Sequence, residues 1–221
     1  MKDNQQLVNS DFLKMEQRKR TRLINSLSGF KSINLCGTIS KDGMTNLSLI
    51  SSVVHIGANP ALMGFIMRPV TVRRDTYNNI LETGYYTFNH LNTEIYKKAH
   101  QTSARYPVDL SEFEATELTE IFSKNIKAPY VAESHIRIGL SFVEKMPIPL
   151  NDTILMIGKV EEVFFPKTAL AEDGYLDIAA AGSITSSGLD AYHSTQKLAR
   201  LSYAKPGKLP STLTKKNQIS S

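Results

Sequence analysis

The chain has 221 residues, enough for one domain with additions, and its 41% hydrophobic and 21% charged content is ordinary for a globular fold. Its formal charge of +5 is concentrated in residues 14–22 and 205–216, and neither segment interleaves cations with aromatics, which sets nucleic-acid binding aside. No apolar run reaches the ~20 residues of a membrane helix, the first dozen residues lack a signal-peptide core, and the lone Cys36 has no internal disulfide partner, so a cytoplasmic protein without membrane contact is expected.

Residues 11–27 read as an amphipathic helix, with Phe12, Met15, Leu23, Ile24 and Leu27 towards one side and Asp11 as N-cap. Ser28-Gly29 ends it and closes an N-terminal unit, residues 1–29. Residues 31–40 alternate with period two, Ile33, Leu35, Gly37 and Ile39 sharing a face, which predicts a strand. Asp42-Gly43 is a strong hairpin signal joining it to the next strand.

The following stretch, residues 45–76, is the one around which the rest is arranged. It begins as a strand in which Asn46, Ser48, Ser51 and Ser52 interleave with Leu47, Leu49 and Ile50. It turns at Ala58-Asn59-Pro60, returns as an apolar strand over residues 61–67, and passes through a basic, hydroxyl-bearing loop into a helix that Asp75 or Thr71 can cap. Hydroxyls and an amide along a strand, then cations where a helix begins, suit a phosphate at the helix start and a planar polar ring along the strand. The same residues also suit the surface and turns of an ordinary β-hairpin.

Tyr77, Ile80 and Leu81 have helical spacing, and Gly84 is the expected residue past the helix end. An aromatic strand (85–91) and a short helix (93–100) follow. Residues 101–130 form a long surface excursion tethered by Phe113, Leu118, Ile121 and Phe122, of a length typical of lids and dimer arms. Residues 132–143 alternate cleanly until Pro147 and Pro149 break the pattern, and Asn151-Asp152 turns the chain into a last long strand, residues 153–165. The Pro-, Lys-, Ser- and Thr-rich tail, residues 205–221, is expected to be disordered. Six or more strands without intervening long helices indicate an antiparallel barrel rather than a doubly wound sheet.

The ordered stretches NLCGTISKDGMTNLSLISSVVHIGANPALMGFIMRP and RRDTYNNILETGYYTFNHL, with HQTSARYPVDLSEFEATEL and GLDAYHSTQKLARLSYAKP later on, resemble the flavin reductase-like family of the FMN-binding split-barrel superfamily. The resemblance spans roughly residues 25–207. It implies a mainly β (α+β) Greek-key split barrel with short helices over residues 30–204, forming homodimers with FMN near the subunit interface. It places the FMN phosphate at Arg74 and Thr76, with Arg68 and Thr71 just before them. The ring falls along Asn46, Ser48, Ser51 and Ser52, with Asn89 as a further partner. Many relatives carry Lys where Arg74 stands; Arg keeps the charge on a wider fork.

No GxGxxG motif is present, so NADH or NADPH would dock transiently over the flavin. His193 and His100 are candidate nicotinamide contacts, each also readable as a polar loop histidine, and the cations at Lys197 and Arg200 lie nearby in sequence. His55 and His90 read as packing residues; neither metal-ligand spacing nor a hydrolytic nucleophile motif is evident. Three readings result. One is an NAD(P)H-dependent flavin reductase passing electrons to an unspecified acceptor. The second is a flavoredoxin-like FMN carrier without its own nicotinamide oxidation. The third is a barrel that binds no flavin.

Overall fold

The computed structural model describes residues 4–213. The N-terminal segment forms two helices rather than one, α1 (Asn9–Lys14) and α2 (Gln17–Leu27). Glu16 makes the break: its carboxylate accepts the N–H groups of Arg18 (2.9 Å) and Lys19 (2.8 Å) and caps α2. Asp11 is not an N-cap; it sits in the first turn of α1 and accepts the Val8 N–H at 2.8 Å. No residue of either helix is fully buried: of the expected apolar side, Phe12, Met15 and Leu23 are half-buried and Ile24 and Leu27 are exposed.

β1 (Asn34–Ile39) and β2 (Thr45–Ile50) pair across the Asp42-Gly43 turn, where Gly43 has φ +87°. β1 is buried on both faces because a hydrophobic cluster packs on each, Leu35 in one and Cys36 in the other. The expected single strand after Thr45 divides into β2 and β3 (Val54–Ala58). Ser52 divides it by leaving the ladder: its hydroxyl accepts the Ile66 N–H at 3.0 Å and donates to the Ile66 carbonyl at 3.4 Å. β4 (Ala61–Met67) follows, then α3 (Asp75–Thr83), closed by the left-handed Gly84. Next come β5 (Tyr85–His90), α4 (Tyr96–Gln101), α5 (Glu112–Thr116), β6 (Glu120–Ile121) and β7 (Tyr130–Val131). The long hairpin of β8 (Arg137–Ile148) and β9 (Thr153–Phe164) and the short one of β10 (Thr185–Ser187) and β11 (Ala191–His193) complete the chain.

The protein is mainly β with a few short helices. Seven strands form one antiparallel sheet in the order β2-β1-β5-β8-β9-β4-β3, wrapped around Phe65, Tyr86, Phe88, Leu140 and Met156. Pro147 does not break β8, and its register partner is Ile154. Beyond Ser141, β8 pairs with β9 alone, so a missing N–H on the open side removes no ladder bond. In the 101–130 excursion Phe113 and Leu118 are buried, Ile121 is half-buried and Phe122 is exposed, so three of the four expected tethers hold.

That excursion covers the free edge of β2, with Ser111 Oγ 2.9 Å from Thr45 Oγ1 and the Leu47 N–H donating to Glu112 Oε2 at 2.9 Å. Within the tail, residues 201–213 fold back on themselves through bridges Leu201–Thr212 and Lys205–Lys208; residues 214–221 lie outside the described residues. Among the described residues no helix is long and apolar enough to cross a membrane.

Candidate functional site

The polar strand and the basic helix entry meet where β2 passes under the first turn of α3. Asn46 Nδ2 donates to Thr76 Oγ1 at 3.0 Å, and Thr76 Oγ1 donates to Ser48 Oγ at 2.8 Å. Thr38 on β1 and Asn79, one turn along α3, complete the cluster: Thr38 Oγ1 accepts from Asn46 (3.1 Å) and from Asn79 (3.2 Å). Asn46, Thr76, Thr38 and Asn79 are buried while Ser48 is only half-buried. The relay therefore ends on a half-buried Ser48 hydroxyl whose oxygen accepts from Thr76 and whose own O–H has no acceptor among the described residues, strengthened as a donor by the bonds behind it. Thr38 and Asn79 escaped the sequence reading. The i, i+3 spacing of Thr76 and Asn79 was the available signal for one; only strand pairing, which sets Thr38 opposite Asn46, identifies the other.

The start of α3 is open to an anion. Arg74, not Asp75 or Thr71, is the N-cap residue, and among the described residues no side chain bonds the first-turn N–H groups. The first intrahelical bond is from Asn78 N–H to the Arg74 carbonyl at 3.0 Å, which leaves the N–H groups of Asp75, Thr76 and Tyr77 without a helical partner. Asp75 is occupied by Arg73, whose Nε lies 2.6 Å from its Oδ1. The half-buried Arg74 spends only Nε, on the Pro69 carbonyl at 3.3 Å, so the ends of its fork are available. Arg68 and Thr71 are exposed on the loop just before it. Helix dipole, guanidinium and hydroxyl thus lie around the first turn of α3, a donor set that fits a phosphate.

The remaining expected residues separate. Ser51 is half-buried three residues beyond Ser48, about 10 Å along the strand. Ser52 is a backbone staple. Asn89 is fully buried: its amide donates to the Leu35 carbonyl (3.1 Å) and Thr87 Oγ1 (2.9 Å), and its oxygen accepts the Val131 N–H (3.0 Å). Every polar atom of Asn89 is committed to holding β5, β1 and β7 together, so it is not a cofactor contact. His55 is exposed rather than packed, while His90 bonds Ser183 Oγ at 2.9 Å, and burial pushes its imidazole down to about 4.

The two candidate histidines come to one hairpin. His100 Nδ1 is 2.7 Å from the Tyr192 hydroxyl, and His193 Nε2 is 2.8 Å from Ser187 Oγ with its ring edge-on to Phe30 at 5.0 Å. The Lys31–Ser186 bridge sets that hairpin just before β1, whose Asn34 pairs with Ile50 at the Ser51 end of β2. The cations near His193 are not free for a ligand: Arg200 forms a two-bond pair with Asp173 (2.6 and 3.2 Å), and Lys197 pairs with Asp177. Glu112, unremarked in the sequence, flanks the site; burial raises its carboxyl above the ordinary range against the lowering bond from Leu47, and the Asp75 charge raises it further.

Residues 31–180 match the flavin reductase-like domain. A flavin reductase-type protein with a split-barrel domain from Shewanella frigidimarina is 47% identical and superimposes with a TM-score of 0.88, over 91% of this chain and 100% of that one. Nitrilotriacetate monooxygenase component B from Bacillus cereus (20% identity, TM-score 0.79, 90% of this chain and 100% of that one) shares the fold. So does the flavoredoxin of Desulfovibrio vulgaris (20% identity, TM-score 0.67, 81% and 92%). With the sheet order and these matches in agreement, the chain belongs to the flavin reductase-like family of split-barrel, flavin-related oxidoreductases.

Proposed function

We propose that this protein is an FMN-binding, NAD(P)H-dependent flavin reductase. The observation that carries the reading is the uncapped start of α3 with Arg74 beside it and the Asn46–Thr76–Ser48 relay beneath. A dianionic phosphate there gains charge-assisted bonds from Arg74 and from first-turn N–H groups, and a neutral one from Ser48. Bound FMN supplies the hydride and electron chemistry of its ring, which the protein need not provide. The chain's own part is positional. Past Leu47, whose N–H is taken by Glu112, β2 offers backbone donors and acceptors along the ring edge, with Ser51 beyond the phosphate end, and the β10–β11 hairpin brings His193 towards the same end of the strand, with His100 of α4 held to it through Tyr192. No acid or base is required of either histidine. His193→Ala is expected to slow hydride transfer while leaving FMN bound, and an unchanged rate makes it a hairpin residue only.

One observation favours the alternative of an FMN carrier reduced by another protein: Lys197 and Arg200, the cations nearest His193 in sequence, are neutralised by Asp177 and Asp173. Anaerobic titration of the FMN-loaded protein with NADH and then NADPH, following flavin absorbance, separates the two. Bleaching within the mixing time supports the reductase. An unchanged spectrum with both nucleotides leaves the carrier.

A further inference from the structure

A cavity lies at the end of the β8–β9 pair opposite its turn, where Phe165 also packs against the main core. It has a volume of about 510 Å³, between residues 132–137 and the end of β9, within the usual range for small-molecule pockets. Ile136 and Ile138 point into the core, so Arg137 between them points outward, and no residue of β2 or α3 lines this cavity. The register runs Leu49–Leu35–Asn89–Arg137, three strand spacings or about 14 Å from β2.

Its walls are apolar and partly flat: Ala132, Val163, Phe164, Phe165 and Pro166. The polar groups are Ser134, His135 and Arg137. Two are committed, Ser134 Oγ donating to the His90 carbonyl at 2.8 Å and His135 Nδ1 bonding the Ala181 carbonyl at 2.8 Å. A carbonyl only accepts, so Nδ1 carries the proton and Nε2 is left over. Arg137 is not committed. Its guanidinium carbon sits 5.2 Å from the centre of the Phe164 ring, and its Nε is buried without a hydrogen-bond partner. Among the described residues no carboxylate pairs with it; Glu162 on the neighbouring strand holds Tyr130 Oη (2.7 Å) and Asn125 Nδ2 (2.8 Å) instead.

A buried guanidinium N–H with no acceptor is a desolvation penalty left uncompensated within the chain. Its planar fork matches a carboxylate, and the phenylalanine and proline walls match a flat apolar body. We propose that this cavity is a binding site for a small aromatic carboxylate, held by Arg137 and stacked among Phe164, Phe165 and Pro166. The site is separate from the one assigned to flavin and does not depend on it.

The test uses the full-length protein and 4-fluorobenzoate, followed by ¹⁹F relaxation, with 4-fluorobenzamide as the neutral control and inorganic phosphate as competitor. The expected result is saturable binding at least tenfold tighter than the amide and not displaced by phosphate. Arg137→Gln should weaken it tenfold or more, with unchanged circular dichroism, melting temperature and FMN affinity. Should Arg137→Gln fail to fold, Ala132→Leu fills the cavity without touching the charge and should abolish binding. Absence of saturation below about 10 mM, a limit equivalent to under 3 kcal/mol, overturns the proposal. So does equal binding of the amide, displacement by phosphate, or unchanged affinity in Arg137→Gln or Ala132→Leu.

Discussion

Arg74 and Thr76 sit two residues apart yet differ in how they would reach a phosphate. Arg74 presents unspent N–H groups at the mouth of α3, whereas the Thr76 hydroxyl is buried and acts through Ser48. A charge-assisted bond contributes roughly 1.5–3 kcal/mol and a neutral one about 1 kcal/mol, so the two substitutions should rank by charge. Arg74→Ala is expected to weaken FMN about ten- to a hundredfold and Thr76→Ala several-fold, while riboflavin binds both variants nearly as well as the parent. Flavin fluorescence quenching measures all of these affinities; parent-like FMN binding by Arg74→Ala would move the phosphate towards Arg68 or Arg73. A second residue-scale expectation concerns pH. The His90 imidazole, held at about 4 by burial, stays neutral in the folded chain, while the unfolded chain protonates near its ordinary value. A lowered folded value gives stability that is present above about pH 6.5 and lost as pH falls towards 4, of order 1–3 kcal/mol. Glu112, held above its ordinary range, works in the opposite sense. Denaturant midpoints of the parent and His90→Gln between pH 7 and 4 should therefore diverge, the parent falling more steeply; parallel curves would count against His90.

At the scale of elements, β1 has no room for a side chain at Gly37. Gly37 lies under the segment that leads into β7, and a methyl group there would collide with the Pro129 carbonyl and the Thr87 hydroxyl. Those two groups are themselves joined, Thr87 Oγ1 donating to the Pro129 carbonyl at 2.6 Å. Gly37→Ala is expected to lose about 1–3 kcal/mol, because the obstacle is backbone rather than a movable side-chain tip. Thermal unfolding gives the measurement, and a melting temperature equal to the parent's would show that the segment yields freely. α5 has a different role at the other edge. It fastens to β2 through Glu112 and Ser111, shielding an edge strand that also carries the polar relay. An excursion that the sequence marks as a long tethered surface segment of lid or dimer-arm length thus becomes, in three dimensions, the outer wall of the candidate site.

For the whole molecule, the exposed apolar surface argues for assembly. Leu13 (72%), Leu27 (66%) and Phe30 (71%) lie open at the N-terminal side, and Leu198 (97%), Tyr203 (87%) and Leu209 (90%) near the C-terminal end. A folded chain leaves so many large side chains bare mainly when another surface covers them. We propose a homodimer with both subunits near the flavin, expected to sediment at twice the chain mass; a monomer carrying a full complement of flavin would overturn it.

Local chemistry in the sequence determined much of this protein. The Asp42-Gly43 and Asn151-Asp152 turns, the Gly84 helix stop, the alternation along β8 and the polar character of β2 are short-range signals, legible because φ preference and side-chain period act within a few residues. The same signals brought Asn46, Ser48, Arg74 and Thr76 forward together. Tertiary structure decided what those signals cannot carry. Asn89 looks like a ligand residue until three partners from β1, β5 and β7 consume its amide. Ser52 looks like a strand serine until Ile66 claims its hydroxyl. Lys197 and Arg200 look like anion donors until Asp177 and Asp173 neutralise them. Whether a polar group serves a ligand or the fold depends on which partners the chain brings within about 3 Å of it, and those partners lie tens of residues away.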